Sequence, residues 1–256
     1  MCYWVGTKKV RQEILKRLQQ DPQDEIAQLY YTYITAQNFP VQEHYVAIGK
    51  GKPILTALVK DKGKLQLQNM QWTLPYSYFD AKTNKTVTRE LLNSTCERVF
   101  FQHKEQIFKQ RCIIPIDGYF EYYHFKDETF PYYIQPKEGG IFYAGGIWDK
   151  KVNESTGEIS ESFSIITTPP NPMVEKIHNN PKAPNGSRML LLIKPEMALN
   201  YLDENLNTAD IKKFFVPFDA NEMKAHTVLR FQRKENMQYF NSEKITEYCE
   251  YPELVA

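Results

Sequence analysis

The sequence predicts an α+β fold, rich in strands, with mostly antiparallel sheets and helices at the periphery. Two observations carry this expectation. Aromatic residues make up 14% of the chain, with 17 Tyr, and short runs of aromatic and β-branched residues bounded by Gly, Pro, Asn and Asp favour strands. Helical periodicity is confined to the first 35 or so residues and a few short later stretches. No internal repeat and no low-complexity linker divides the 256 residues, so one domain over 1–256 is expected.

The elements follow in order. Val10, Ile14 and Leu18 recur at four-residue spacing, predicting a helix over 8–20 that Asp21-Pro22 ends. Asp24 can cap a second helix running through Ile26, Leu29 and Tyr30 towards Ile34. Residues 36–40 read as a loop. Short strands are expected at 45–48 and 53–59 around the Gly49–Lys52 turn. A half-buried strand is expected at 65–72, where Leu65, Leu67, Met70 and Trp72 are interleaved with Gln. Leu74-Pro75 should close it, leaving 76–92 as a loop with a short helix. Residues 97–110 read as one amphipathic helix, 111–115 as a buried strand, and Asp117-Gly118 as a turn. Residues 119–125, 131–135 and 141–148 suggest an antiparallel meander, with Gly145-Gly146 marking close backbone approach. Residues 152–161 read as a polar hairpin tip, 162–167 and 189–193 as strands, 168–188 as mostly loop, 194–214 as short helices and 217–256 as a mixed tail.

Composition excludes several classes. Hydrophobic residues at 42% and charged residues at 25% are the balance of a globular protein. No apolar run is long enough to span a bilayer, and the start lacks the basic-then-apolar order of a signal peptide, so a cytoplasmic location is expected. Cys2, Cys96, Cys112 and Cys249 form no C-x-x-C pair, which argues against zinc ribbons and thioredoxin-like chemistry. With a net charge of +1, any nucleic-acid site must be a local cleft rather than a whole-molecule field.

Cys2 is the residue with the most chemical potential. Methionine aminopeptidase removes Met1 before a small residue, which would expose an α-amine and a thiol on adjacent carbons. Their unperturbed pKa values of about 7.7–8.0 and about 8.5 make both usable nucleophiles near neutrality. Three further polar residues interrupt apolar surroundings, each with an ordinary structural alternative. Asn93 could cap a helix. Glu121 could face solvent from an edge strand. His178 could be a surface loop residue.

Together the segments Met1-Cys2, Trp72-Thr73-Leu74-Pro75, Asn93-Ser94-Thr95-Cys96-Glu97, Arg111 to Glu121 (RCIIPIDGYFE) and Ile177-His178-Asn179 with Arg188-Met189 resemble the SOS-response-associated peptidase (SRAP) family. The resemblance spans 1 to about 193, and 111–121 is its most specific part; Trp148, Thr167-Thr168 and Asn171 also match. Residues 194–256 would be a tail packed on that part. The chain departs from the pattern at Thr95 and Trp4, where relatives carry Arg. A longer tract, 180–187, separates His178 from Arg188, and no Pro follows Met189. Lys182 and Arg188 are the cations placed to replace the lost charge.

The resemblance implies curved, barrel-like sheets and a covalent trap for abasic sites in single-stranded DNA. The Cys2 amine would attack C1′ of the ring-opened sugar and the thiol would close a thiazolidine. His178 would protonate the ring oxygen, its unperturbed pKa of about 6.5 suiting that task. Glu121 would orient the Cys2 amine, shuttle its proton and assist reversal. Asn93 would fix geometry by hydrogen bonding. Arg98, Arg111 and Arg188 would contact phosphate, and Trp72, Phe39 and Pro40 the bases. The same groups could cleave after Met1, an autoproteolytic activity. The rival readings are a catalytically idle single-stranded-DNA-binding relative and a thiol peptidase acting on other proteins. No cofactor, metal or membrane is expected, and a monomer that joins the nucleoid when bound to DNA is implied.

Overall fold

A computed structural model describes residues 3–254. Its centre is a closed ring of five strands. Ile54–Asp61 pairs with Lys64–Trp72 and with Arg111–Ile116; Arg111–Ile116 pairs with Phe142–Val152; Phe142–Val152 pairs with Ile159–Thr168; and Ile159–Thr168 returns to Lys64–Trp72. All of these pairings are antiparallel except the last. Closure removes sheet edges, and it buries both faces of strands such as Arg111–Ile116, every residue of which is buried. Alternation then divides the side chains. Leu58, Leu67, Ile113 and Ile147 pack beneath the helices Val10–Gln20 and Glu25–Ala36 and the short helices near residues 107 and 198–214. Ala57, Met70, Trp72, Ile114, Ala144 and Phe163 form the other core.

A second sheet of five strands packs on that inner core through Val5, Tyr119, Ile134 and Met223. Its order is Met223–Thr227, Glu128–Pro136, Gly118–Phe125, Trp4–Gly6, Ala47–Ile48, with antiparallel neighbours throughout. The N-terminal strand is therefore an interior strand, beside the aromatic segment that carries Glu121.

The first two helices form as expected, and Asp24 caps the second by accepting from Ala27 N at 2.9 Å. Other elements differ. Residues 76–92 are not a loop and helix but the outer part of a hairpin, Leu74–Asp80 with Lys85–Leu91. Pro75 is tolerated because an isolated two-stranded ribbon has only edges. Asn84 supplies the left-handed turn residue (φ 53°). The helix expected over 97–110 breaks at the buried His103 into Val99–Gln102 and Lys104–Lys109. The three-strand meander is also incomplete. Gly118–Phe125 pairs with Glu128–Pro136, but Phe142–Val152 joins the barrel instead. Its residues from Phe142 to Trp148 are all buried, and only a position between two layers satisfies that. The close approach at the double glycine is present: a Cβ on Gly146 would lie 2.7 Å from Ser164 O. The 168–188 region contains a helix, Pro172–Ile177, and the mixed tail supplies the strand Met223–Thr227.

Asp117 is a clamp rather than a turn. Its N–H donates to Gly6 O at 2.9 Å, and its carboxylate accepts from Lys9 N at 2.7 Å and from Tyr133 Oη at 2.9 Å. This holds the end of the N-terminal strand. Beside it, a Cβ on Gly118 would lie 2.4 Å from Cζ of Tyr133. Gly118→Ala is expected to cost about 1–3 kcal/mol by overpacking, read as a lower midpoint in urea; an unchanged midpoint would show that the Tyr133 ring yields freely.

Candidate functional site

Glu121 is only 3% exposed. It does not face solvent from an edge, because it shares the face of Tyr119, which lies in the inner core. His178 is 6% exposed and ends the helix Pro172–Ile177. Asn171 starts that helix, accepting from Val174 N at 2.9 Å, and His178 N closes it on Val174 O at 2.7 Å. The next residue, Asn179, exchanges two hydrogen bonds with the backbone of His124, its Oδ1 accepting from N at 2.7 Å and its Nδ2 donating to O at 2.8 Å. The imidazole is thereby fixed against the strand of Glu121.

His178 Nδ1 lies 3.0 Å from Arg188 O and 3.7 Å from Glu121 Oε2. Arg188 N also approaches Nδ1, at 3.4 Å, so the ring is held at this nitrogen by both backbone groups of Arg188 and by the Glu121 carboxyl. Burial pushes the His178 pKa below its ordinary value, although the Arg188 carbonyl partly opposes this. The ring is thus neutral at pH 7, a base before it is an acid. The pair opens into a cleft of about 420 Å³ whose walls include Tyr3, Trp4, Lys50, Tyr122 and Lys182.

Asn93 does not cap a helix. It is buried at the start of the short strand Asn93–Thr95, which runs parallel to Ile159–Thr168. Its neighbour Leu92 meets the N-terminal segment at Gly49: Gly49 N donates to Tyr3 O at 2.8 Å, and a Cβ there would lie 3.1 Å from Leu92 Cδ1. Cys2 lies outside the described residues.

Three of the expected DNA contacts are corrected. Trp72 is fully buried, donates from Nε1 to Leu92 O at 2.8 Å and stacks on Phe163 at 8°, so it offers no face to a base. Arg111 is 3% exposed. Its guanidinium donates to the carbonyls of Tyr201 (2.6 Å), Ile107 (2.5 Å) and Asp203, ordering the chain end of two short helices rather than reaching phosphate. Arg188 grips Glu97 through both terminal nitrogens, at 2.8 and 2.9 Å, and also Thr167 O at 2.7 Å. Burial raises the Glu97 carboxyl, but the Arg188 hydrogen bonds and charge outweigh it and hold that group at about 2. Arg188 therefore supports the carbonyl that orients His178. Arg98 and Pro40 are exposed, and Phe39 packs edge-on to Tyr33; none of the three lines the cleft at His178.

The family model described as SOS response associated peptidase (SRAP) matches residues 1–231. The chain belongs to the SRAP family. The match extends past 193, into the strand Met223–Thr227 that completes the second sheet. Curated relatives include "Abasic site processing protein YoqW" of Bacillus subtilis, 26% identical over 71% of this chain and 77% of the relative. "Abasic site processing protein YobE" of the same organism is 25% identical over 71% and 78%. A crystal structure of a Bacteroides thetaiotaomicron protein shares the fold at TM-score 0.72, with 24% identity over 97% of this chain and all of that one. A Bordetella bronchiseptica protein does so at 0.63, with 18% identity over 89% and 100%.

Within this SRAP chain, sequence reasoning missed Asn179, His124 and Lys50. Asn179 beside His178 was the available signal, since a side-chain amide can pair with both backbone groups of one residue. Among the described residues no group of three or more His, Cys, Asp or Glu is placed to hold a metal, and no helix is long and apolar enough to cross a membrane.

Proposed function

We propose that this SRAP protein processes abasic sites in single-stranded DNA by trapping the sugar covalently on Cys2 after loss of Met1. The observation that carries the reading is the buried Glu121–His178 pair opening into a cleft walled by Tyr3, the residue bonded to Cys2. The Bacillus relatives, named as abasic site processing proteins, support the substrate class.

The chemistry balances as one condensation. The neutral Cys2 amine adds to the C1′ aldehyde, and the carbinolamine loses water to give an imine. The thiol then adds across the C=N bond, its sulfur to carbon and its proton to nitrogen, closing a thiazolidine. His178, neutral at pH 7, takes the proton that the amine releases on attack. The imidazolium so formed faces the Glu121 carboxylate and returns the proton to the departing oxygen. Asn93 holds the reacting segment without adding charge. Reversal uses the same groups in the opposite order, and cleavage after Met1 would use them on an amide.

Incubation of the purified protein with a single-stranded oligonucleotide carrying one abasic site tests this. A species that survives denaturation and heat is expected. Only dissociable binding would indicate an idle DNA-binding relative. No binding at all, with cleavage of a peptide substrate, would indicate a thiol peptidase.

A further inference from the structure

We infer that Lys50 and Lys182 form a phosphate clamp across the cleft, holding the strand on either side of the abasic nucleotide. The inference rests on the reading above and specifies how that site recognises its DNA. Arg111 and Arg188 are buried and consumed by internal carbonyls and Glu97, and Thr95 and Trp4 supply no charge. The cations left on the cleft walls are Lys50 and Lys182.

Both are exposed, and among the described residues neither is in a salt bridge, whereas nearby Lys52 is held by Glu90 at 2.5 Å. Lys50 sits on the Gly49–Gly51 turn that follows Ala47–Ile48. In the sheet the N-terminal strand lies between Ala47–Ile48 and the Glu121 strand. Lys182 lies on the 180–187 tract that follows His178 and lines the same cleft. Tyr3 lines the same cleft as the two lysines. The tract is ordered by its own hydrogen bonds: Lys182 N donates to Asn180 Oδ1 at 2.9 Å, Ala183 N to Asn180 O at 3.1 Å, and Gly186 N to Ala183 O at 3.0 Å. Ala183 and Pro184 add a small apolar wall. The other titratable groups lining the cleft are Glu121, His178, His124, Tyr3 and Tyr122. Burial depresses both histidines, so at pH 7 the two lysines outweigh the single carboxylate. A polyanionic strand is the ligand that fits a cleft lined by two exposed cations and a buried base.

The test is the salt dependence of binding to a single-stranded oligonucleotide without an abasic site, for the wild type, Lys50→Ala, Lys182→Ala and the double variant. Each single variant is expected to flatten the slope of log K against log salt by about 0.7, and the double by about 1.4. Lys176→Ala, in a separate cavity behind Ile177, should leave the slope unchanged. A wild-type slope retained by the double variant would overturn the clamp and leave the covalent reading standing. Absence of any wild-type binding would overturn both.

Discussion

Cys2→Ala is expected to abolish the denaturation-resistant adduct with abasic single-stranded DNA completely, while dissociable binding to the same strand persists. The reason is chemical. Only a terminal cysteine presents an amine and a thiol on adjacent carbons, and the ring that makes the adduct stable needs both. Cys112 is fully buried and its thiol is pushed well above its ordinary pKa by burial. Burial, with Glu97 beside it, pushes Cys96 up to about 11 despite the nearby Arg188. Neither is a competent thiolate near pH 7. Adduct formed by the alanine variant would assign the nucleophile elsewhere. Equal loss of adduct and of dissociable binding, with a lowered melting temperature, would make Cys2 structural.

His178→Ala and Glu121→Gln should each slow adduct formation by about 10²–10⁴-fold without loss of DNA affinity. Burial holds His178 below about 6.5, so the wild-type rate should fall as pH drops through the histidine pKa and protonation removes the base. That acid limb should vanish in His178→Ala. The same shift bears on stability. A histidine kept neutral in the folded state binds fewer protons than in the unfolded chain, so its contribution is intact above about 6.5 and declines as pH falls below it. His103, which burial holds at about 4, acts in the same direction over the window from about 6.5 to 4. An acid limb retained by His178→Ala would assign the titration to another group.

Much of the fold was legible because local patterns matched final burial. The first helix, the Asp24 cap and the alternation over 65–72 depend on neighbours in sequence. The barrel was not legible in detail. Phe142–Val152 reads as a third meander strand because its β-rich composition does not state its partner, and closure is a long-range pairing choice. The 74–91 hairpin was hidden by Pro75 and by its polar strands, which neither bury a face nor alternate cleanly. In the site, the motif resemblance singled out Glu121, His178 and Asn93, since residue type alone left each with an ordinary structural alternative. It misjudged Trp72, Arg111 and Arg188 because a large aromatic or a guanidinium can serve a core as well as a ligand. Only the carbonyls around Arg111 and the Glu97 pair of Arg188 reveal which. Lys50 carried no signal, being one of many lysines until the cleft placed it.

Intact-protein mass spectrometry, before and after mixing with single-stranded DNA bearing one abasic site, tests the central claim most directly. The account predicts a starting chain without Met1 and a product equal to that chain plus the oligonucleotide minus one water, with the link mapped to Cys2. A processed chain that yields no such product, or a product linked through another residue, would contradict it.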